Sequence, residues 1–125
     1  MNEQKKVVYI AGPITGVEKY QEAFEQAEED LAALGYIPLS PARLPNGMTN
    51  DQYMRITLAM LDSADAVLFL LGWENSKGAN LEHTCAEYTR KPIVYQRRRV
   101  FADTDPDEER RAWLTVDLME ALGGD

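Results

Sequence analysis

The chain has 125 residues, 45% hydrophobic and 27% charged, which fits one soluble globular domain over residues 1–125. Its formal net charge of −8 argues against general nucleic-acid binding, because a phosphate backbone needs a basic surface. The longest apolar run, AVLFLL at Ala66 to Leu71, is too short to span a bilayer, so no membrane association is expected.

The start, MNEQKKVVYIAG, has no apolar core ahead of a small-residue cleavage site. It leads into KVVYIAG, Lys6 to Gly12, a β-branched and aromatic run that stops at Gly12-Pro13 and reads as a buried first strand. GPITG is a loop punctuated by Gly and Pro. From Val17 to Leu34, Tyr20, Ala23, Phe24, Ala27, Leu31 and Leu34 recur at helical spacing, and Gly35 ends the run. YIPLS is a short second strand whose Pro38 places it near a sheet edge. PARLPNGMTN is a loop long enough to be a candidate for function. Asn50 is read as the cap of a helix from Asp51 to about Asp62. ADAVLFLLG is apolar throughout, as a strand covered on both faces is. WENSKG is a loop, and a helix follows from about Ala79 to Arg90. KPIVYQ is a further strand, RRRVFADTDP is irregular, and a last amphipathic helix begins at Pro106. The single cysteine, Cys85, has no partner for an internal disulfide and reads as core. With no leader in view, a cytoplasmic protein is expected.

Strands and helices alternate, which predicts an α/β, doubly wound parallel sheet of four to five strands with helices on both faces. In such sheets the ligand crevice lies outside the carboxyl ends of the strands. Two chemically rich loops fall there, GPITG and GWENSKGA. Gly12 and Gly16 allow close approach of backbone to a ligand. GPITG is neither a dinucleotide fingerprint nor a Walker loop. Ser76 and Lys77, just before Gly78, are able to hold a phosphate or hydroxyl, although many turns contain both.

Glu82 is the carboxylate of interest. With a helix start near Ala79 it lies in the first turn, where the helix dipole favours the ionised form by roughly 0.3–1 kcal/mol. An ionised carboxylate suits a nucleophile. The plainer reading is that acids decorate first turns because they stabilise helices. Tyr9, in the first strand, needs a partner for its hydroxyl, either a carboxylate or a backbone carbonyl. His83 projects about 100° from Glu82 and reads as a packing or surface residue. His83 and Cys85 do not make a metal site. Arg97, Arg98 and Arg99 read as a solvated or subunit-contact turn. Trp73 and Trp113 are large enough to stack on a base, or simply fill a core or interface.

Taken together, VYIAGPITG, GYIPLSPARL, ADAVLFLLGWENSKGANLEHTCAE and KPIVY resemble the nucleoside 2-deoxyribosyltransferase-like superfamily, most of all a small branch common in phage and prophage genomes. The resemblance covers about Lys6 to Tyr95. It implies a Rossmann-like, flavodoxin-like fold and cleavage or transfer at the N-glycosidic bond of a nucleoside or nucleoside monophosphate. It implies that Glu82 attacks the anomeric carbon and that Tyr9 orients it. Gly12, Pro13, Ile14, Thr15 and Gly16 of the first loop, and Trp73, Ser76, Gly78 and Ala79 of the second, are then the substrate-binding set. Ser76 stands six residues before Glu82, where the monophosphate hydrolases resemble this chain and the transferases carry Asp. No metal and no organic cofactor is implied, and a homo-oligomer is. Two positions depart from the pattern. Thr57 stands where relatives carry an Asp that assists proton transfer, and Thr15 stands where the monophosphate hydrolases carry an Arg. Those departures keep two other readings in play: a protein that binds a nucleotide metabolite without turning it over, and a phage-encoded interaction protein.

Overall fold

A computed structural model describes residues 4–14 and 19–123. Four parallel strands, β1 (Val7–Ala11), β2 (Ile37–Leu39), β3 (Ala66–Phe69) and β4 (Ile93–Tyr95), form one sheet in the order β2-β1-β3-β4. The helices are α1 (Tyr20–Ala33), α2 (Asn50–Ser63), α3 (Lys77–Tyr88) and α4 (Pro106–Ala121), with short 3-10 turns at Pro41–Arg43 and Trp73–Asn75. The fold is the expected α/β, flavodoxin-like arrangement, with four strands. No helix among the described residues is long and apolar enough to cross a membrane.

The period of two along each strand divides the core. Val8, Ile10, Ala66 and Leu68 point to one face and pack with Phe24 and Leu31 of α1 and Leu114 and Leu118 of α4. Tyr9, Ala11, Val67 and Phe69 point to the other and pack with Leu61 of α2 and Ala86 of α3. Every residue of β3 is buried, so its unbroken apolar run records two covered faces. β2 sits at an edge, and Pro38 takes its place there beside Val8.

Two helix starts differ from the sequence expectation. Thr49, not Asn50, caps α2: its hydroxyl accepts from the Gln52 amide at 3.1 Å, and the Gln52 side chain accepts from the Thr49 amide at 2.9 Å. This reciprocal box fixes the start one residue earlier than Asn50 would. Ser76 caps α3, accepting from the Ala79 amide at 3.2 Å, so the helix begins at Lys77 rather than Ala79 and ends at Tyr88. The extra residues move Glu82 out of the first turn.

The order places a switch point between β1 and β3. The chain leaves β1 for α1 on one face and leaves β3 for α3 on the other. In open α/β sheets a switch point of this kind, at the carboxyl ends of the strands, is where ligands bind.

Candidate functional site

At this switch point the Tyr9 hydroxyl donates to Glu82 Oε2, and the bond joins β1 to α3 across 73 residues. Tyr9 is fully buried and Glu82 is 6% exposed. Position along the strand decides the first side chain, because Tyr9 faces α2 and α3 while its neighbours Val8 and Ile10 face the opposite core. The cap at Ser76 decides the second, since it sets the helical phase that turns Glu82 inward with Ala79 and Ala86.

Burial raises the Glu82 carboxyl to about 7, opposed by the Tyr9 hydrogen bond and by the Thr57 hydroxyl. The expectation of a fully ionised, dipole-stabilised carboxylate is therefore corrected. Glu82 lies in the second turn, beyond the reach of most of the helix-end field, and desolvation dominates. Near neutrality its two forms coexist. Burial, followed by the charge of Glu82, pushes the Tyr9 phenol well above its ordinary value, so Tyr9 remains a donor.

Thr57 is 6% exposed on α2 and lies beside both groups, favouring the ionised form of each. The position at which the resemblance implied an acid thus lies beside the pair. Met54, one turn earlier, covers it: Met54 Sδ is 4.0 Å from the Thr57 hydroxyl, and a Cβ on Gly78 would approach that sulfur to 3.3 Å. Gly78 is small because α2 and α3 close together there. Helical spacing places Met54 on the same side of α2 as Thr57, but nothing in the sequence marks it as part of a site.

The remaining candidates are placed as follows. Gly12 is buried, and a Cβ there would meet Leu70 Cβ at 3.0 Å, so its smallness serves packing between β1 and the end of β3. Pro13 lies against Gly72, whose φ of +89° requires glycine. Ile14 packs against the α1–α4 core. Thr15 and Gly16 lie outside the described residues. Ala79 is buried, and Ser76 spends its hydroxyl on the helix cap. Trp73 is stacked on His83 with ring centres 4.2 Å apart and leans on Phe69 at 5.1 Å. His83 Nε2 lies 2.6 Å from the Tyr95 hydroxyl and its Nδ1 lies 3.3 Å from Glu87. His83 is therefore a packing residue turned away from Glu82. Cys85 is half-buried rather than core, because α3 turns that edge partly to solvent.

The opposite face carries a separate groove of about 180 Å³, lined among others by Gln96, Arg97, Arg98, Arg99, Arg110 and Trp113. Its arginines are largely engaged. Arg97 binds Asp117 through two bonds of 2.8 Å and lies 4.4 Å above the Trp113 ring. Arg99 donates to the carbonyls of Phe101, Ala102 and Thr104. Arg97, Arg98 and Arg99 are exposed, as a solvated turn is, and Arg97 and Arg99 are in addition bonded to the fold. Among the described residues no group of three or more His, Cys, Asp or Glu is placed to hold a metal ion.

Residues 6–95 match the family model described as Domain of unknown function (DUF4406), a span that includes Tyr9, Thr57 and Glu82. The chain belongs to the DUF4406 family. Among curated proteins nothing matches it. Among solved structures it is similar to a 2-deoxyribosyltransferase from the psychrotolerant bacterium Bacillus psychrosaccharolyticus, with a TM-score of 0.59 and 22% identity over 71% of this chain and 70% of that one. That likeness extends to the fold. The bacterial enzyme is described as a biocatalyst for the synthesis of nucleosides. The DUF4406 match stops at Tyr95, so α4 and the arginine groove lie largely beyond it.

Proposed function

We propose that this DUF4406 chain, read as a single domain, cleaves or transfers at the N-glycosidic bond of a nucleoside or nucleoside monophosphate, with Glu82 as the nucleophile. One observation carries the reading: a buried carboxylate held by a buried tyrosine at the switch point of the sheet. The fold likeness to a nucleoside-processing enzyme supports it. In this mechanism the ionised Glu82 attacks the anomeric carbon as the bond to the base breaks through an oxocarbenium-like state. The resulting glycosyl ester passes to water or to a second base, which restores the carboxylate. Tyr9 holds one carboxylate oxygen and leaves the other to react. The half-ionised state near pH 7 means that substrate binding selects the charged form. Assembly as a homo-oligomer rests on the resemblance alone.

The test is release of free base from a panel of nucleosides and nucleotides by the wild-type chain and by Glu82→Gln. Release that depends on Glu82 supports the reading, and release that survives the substitution removes Glu82 from the mechanism. A second reading, binding without turnover, is favoured by one observation, the hydroxyl of Thr57 in place of an acid. Tight binding of one panel member with no base released from any would establish it instead.

A further inference from the structure

We infer that the base displaced by this site carries its own positive charge, so that the substrates are nucleosides or nucleotides of quaternised bases such as pyridinium ribosides and N7-alkylated purines. The inference rests on the proposed glycosyl chemistry and narrows its substrate.

The argument begins with what surrounds Glu82. Tyr9 and Thr57 border it, and Met54 lies against Thr57. Tyr9 has committed its proton to Glu82, and its phenol is held well above its ordinary value. Thr57 is an alcohol and Met54 a thioether, and neither delivers a proton near neutral pH. The described acids nearest in sequence are placed elsewhere. Asp51 and Asp62 are exposed at the two ends of α2. Asp65 accepts from the Val7 amide at 2.7 Å, at the far end of the strands. Glu74 is exposed, and Glu87 lies against His83. His83 itself is held between Trp73, Tyr95 and Glu87. Among the described residues, Glu82 has a nucleophile's position and no general acid beside it.

A neutral purine or pyrimidine departs as an anion unless it is protonated, and a placed acid is worth about 10²–10⁴-fold. A quaternised base needs no such proton. The Glu82 oxygen forms a bond to the anomeric carbon, and the carbon–nitrogen pair stays on nitrogen, which becomes neutral. Water then attacks the same carbon, the ester bond breaks, Glu82 recovers its charge, and one proton goes to solvent. The sum is cationic nucleoside plus water giving sugar, neutral base and a proton. The surroundings also suit a cation. A buried carboxylate that burial alone disfavours gains most from an opposite charge brought beside it. Such a substrate therefore ionises the group that attacks it.

The experiment compares matched pairs that differ only in charge: 7-methylguanosine with guanosine, and 7-methyl-2′-deoxyguanosine with 2′-deoxyguanosine, plus nicotinamide riboside. Glu82→Gln serves as the blank for spontaneous loss. The expected kcat/KM for each methylated member is at least about 100-fold that of its parent. Thr57→Asp is expected to narrow that gap by raising the parents. Parents turned over within tenfold of their methylated partners would overturn the inference and leave the glycosyl reading standing. No release from any member overturns both. Should Thr57→Asp fail to fold, the wild-type ratios alone decide.

Discussion

Asp30 and Glu82 are both buried carboxylates, one on each side of the sheet, at 1% and 6% exposure. Asp30, on α1, receives two bonds from Arg110 at 2.6 and 3.0 Å and one from Arg111 at 2.8 Å. Its partners lie about eighty residues away on α4, so the cluster fastens the first helix to the last. Glu82 accepts one phenolic hydrogen bond and has a threonine beside it, with no cation paired to it among the described residues. A third buried acid, Glu109, sharpens the contrast. It accepts from the Val100 amide at 2.6 Å, the Phe101 amide at 3.1 Å and the Thr104 hydroxyl at 3.1 Å. Those amides pull its carboxyl below the ordinary range, whereas burial pushes Glu82 up. At Glu109 the donors outweigh burial, and at Glu82 burial outweighs the donors. The face with abundant donors is built for cohesion. The other face keeps a buried carboxylate with one strong donor, which is the group the proposed function employs.

The largest expected effect is on turnover. Glu82→Gln should lower base release by about 10³-fold or more, while Asp30→Asn should leave the ratio of turnover among substrates unchanged. Equal losses in the two variants would erase the distinction between the faces. Next is the stability of the paired side. Asp30→Ala leaves two arginines facing a buried vacancy and should cost about 3–5 kcal/mol, read from urea unfolding. A cost below about 1 kcal/mol would mean that the cluster adds little to cohesion.

Glu82 should have the opposite sign. Its carboxyl titrates near 7 in the folded chain against 4.5 when unperturbed, so the folded state holds the proton more tightly. Folding stability therefore falls as pH rises from about 4.5 and levels off above about 7, a loss of roughly 3 kcal/mol. Glu82→Gln should be more stable than wild type at pH 8 by up to that amount and close to it at pH 4. A difference that does not change with pH would contradict the assignment. Tyr9→Phe removes the donor that favours the ionised form. The acidic limb of the rate profile, which rises as Glu82 ionises, should move up by about one unit or more. The smallest effect is Ser76→Ala, about 1 kcal/mol in stability for a lost helix cap, with Ser76→Asp restoring it. Asp caps a helix as well as Ser does.

The architecture was legible because its signals are local. Unbroken apolar character marks β3, Pro38 marks an edge strand, and the alternation of elements leaves few topologies. Glu82 and Tyr9 could be named as candidates, and Thr57 could be reached by counting back from Asp65. What could not be read is set by contacts distant in sequence. Asp30 meets Arg110 and Arg111 only after the sheet has brought α1 beside α4. The raised carboxyl of Glu82 follows from its burial, not from its place in a helix, and the place itself shifted when Ser76 proved to be the cap. Competing cap residues, Thr49 beside Asn50 and Ser76 ahead of Ala79, leave helix starts uncertain by one or two positions.

The parallel ladder also sets when the chain is able to fold. The Val7 amide bonds a carboxylate 58 residues later, and β1 lies between β2 and β3. No two strands of the sheet are joined by a tight turn, so every pairing waits for an intervening helix. A nascent chain that has reached only α2 holds β1 with one neighbour. Tyr9 meets Glu82 only after α3 has left the ribosome, so this buried pair is assembled late in the chain's own synthesis.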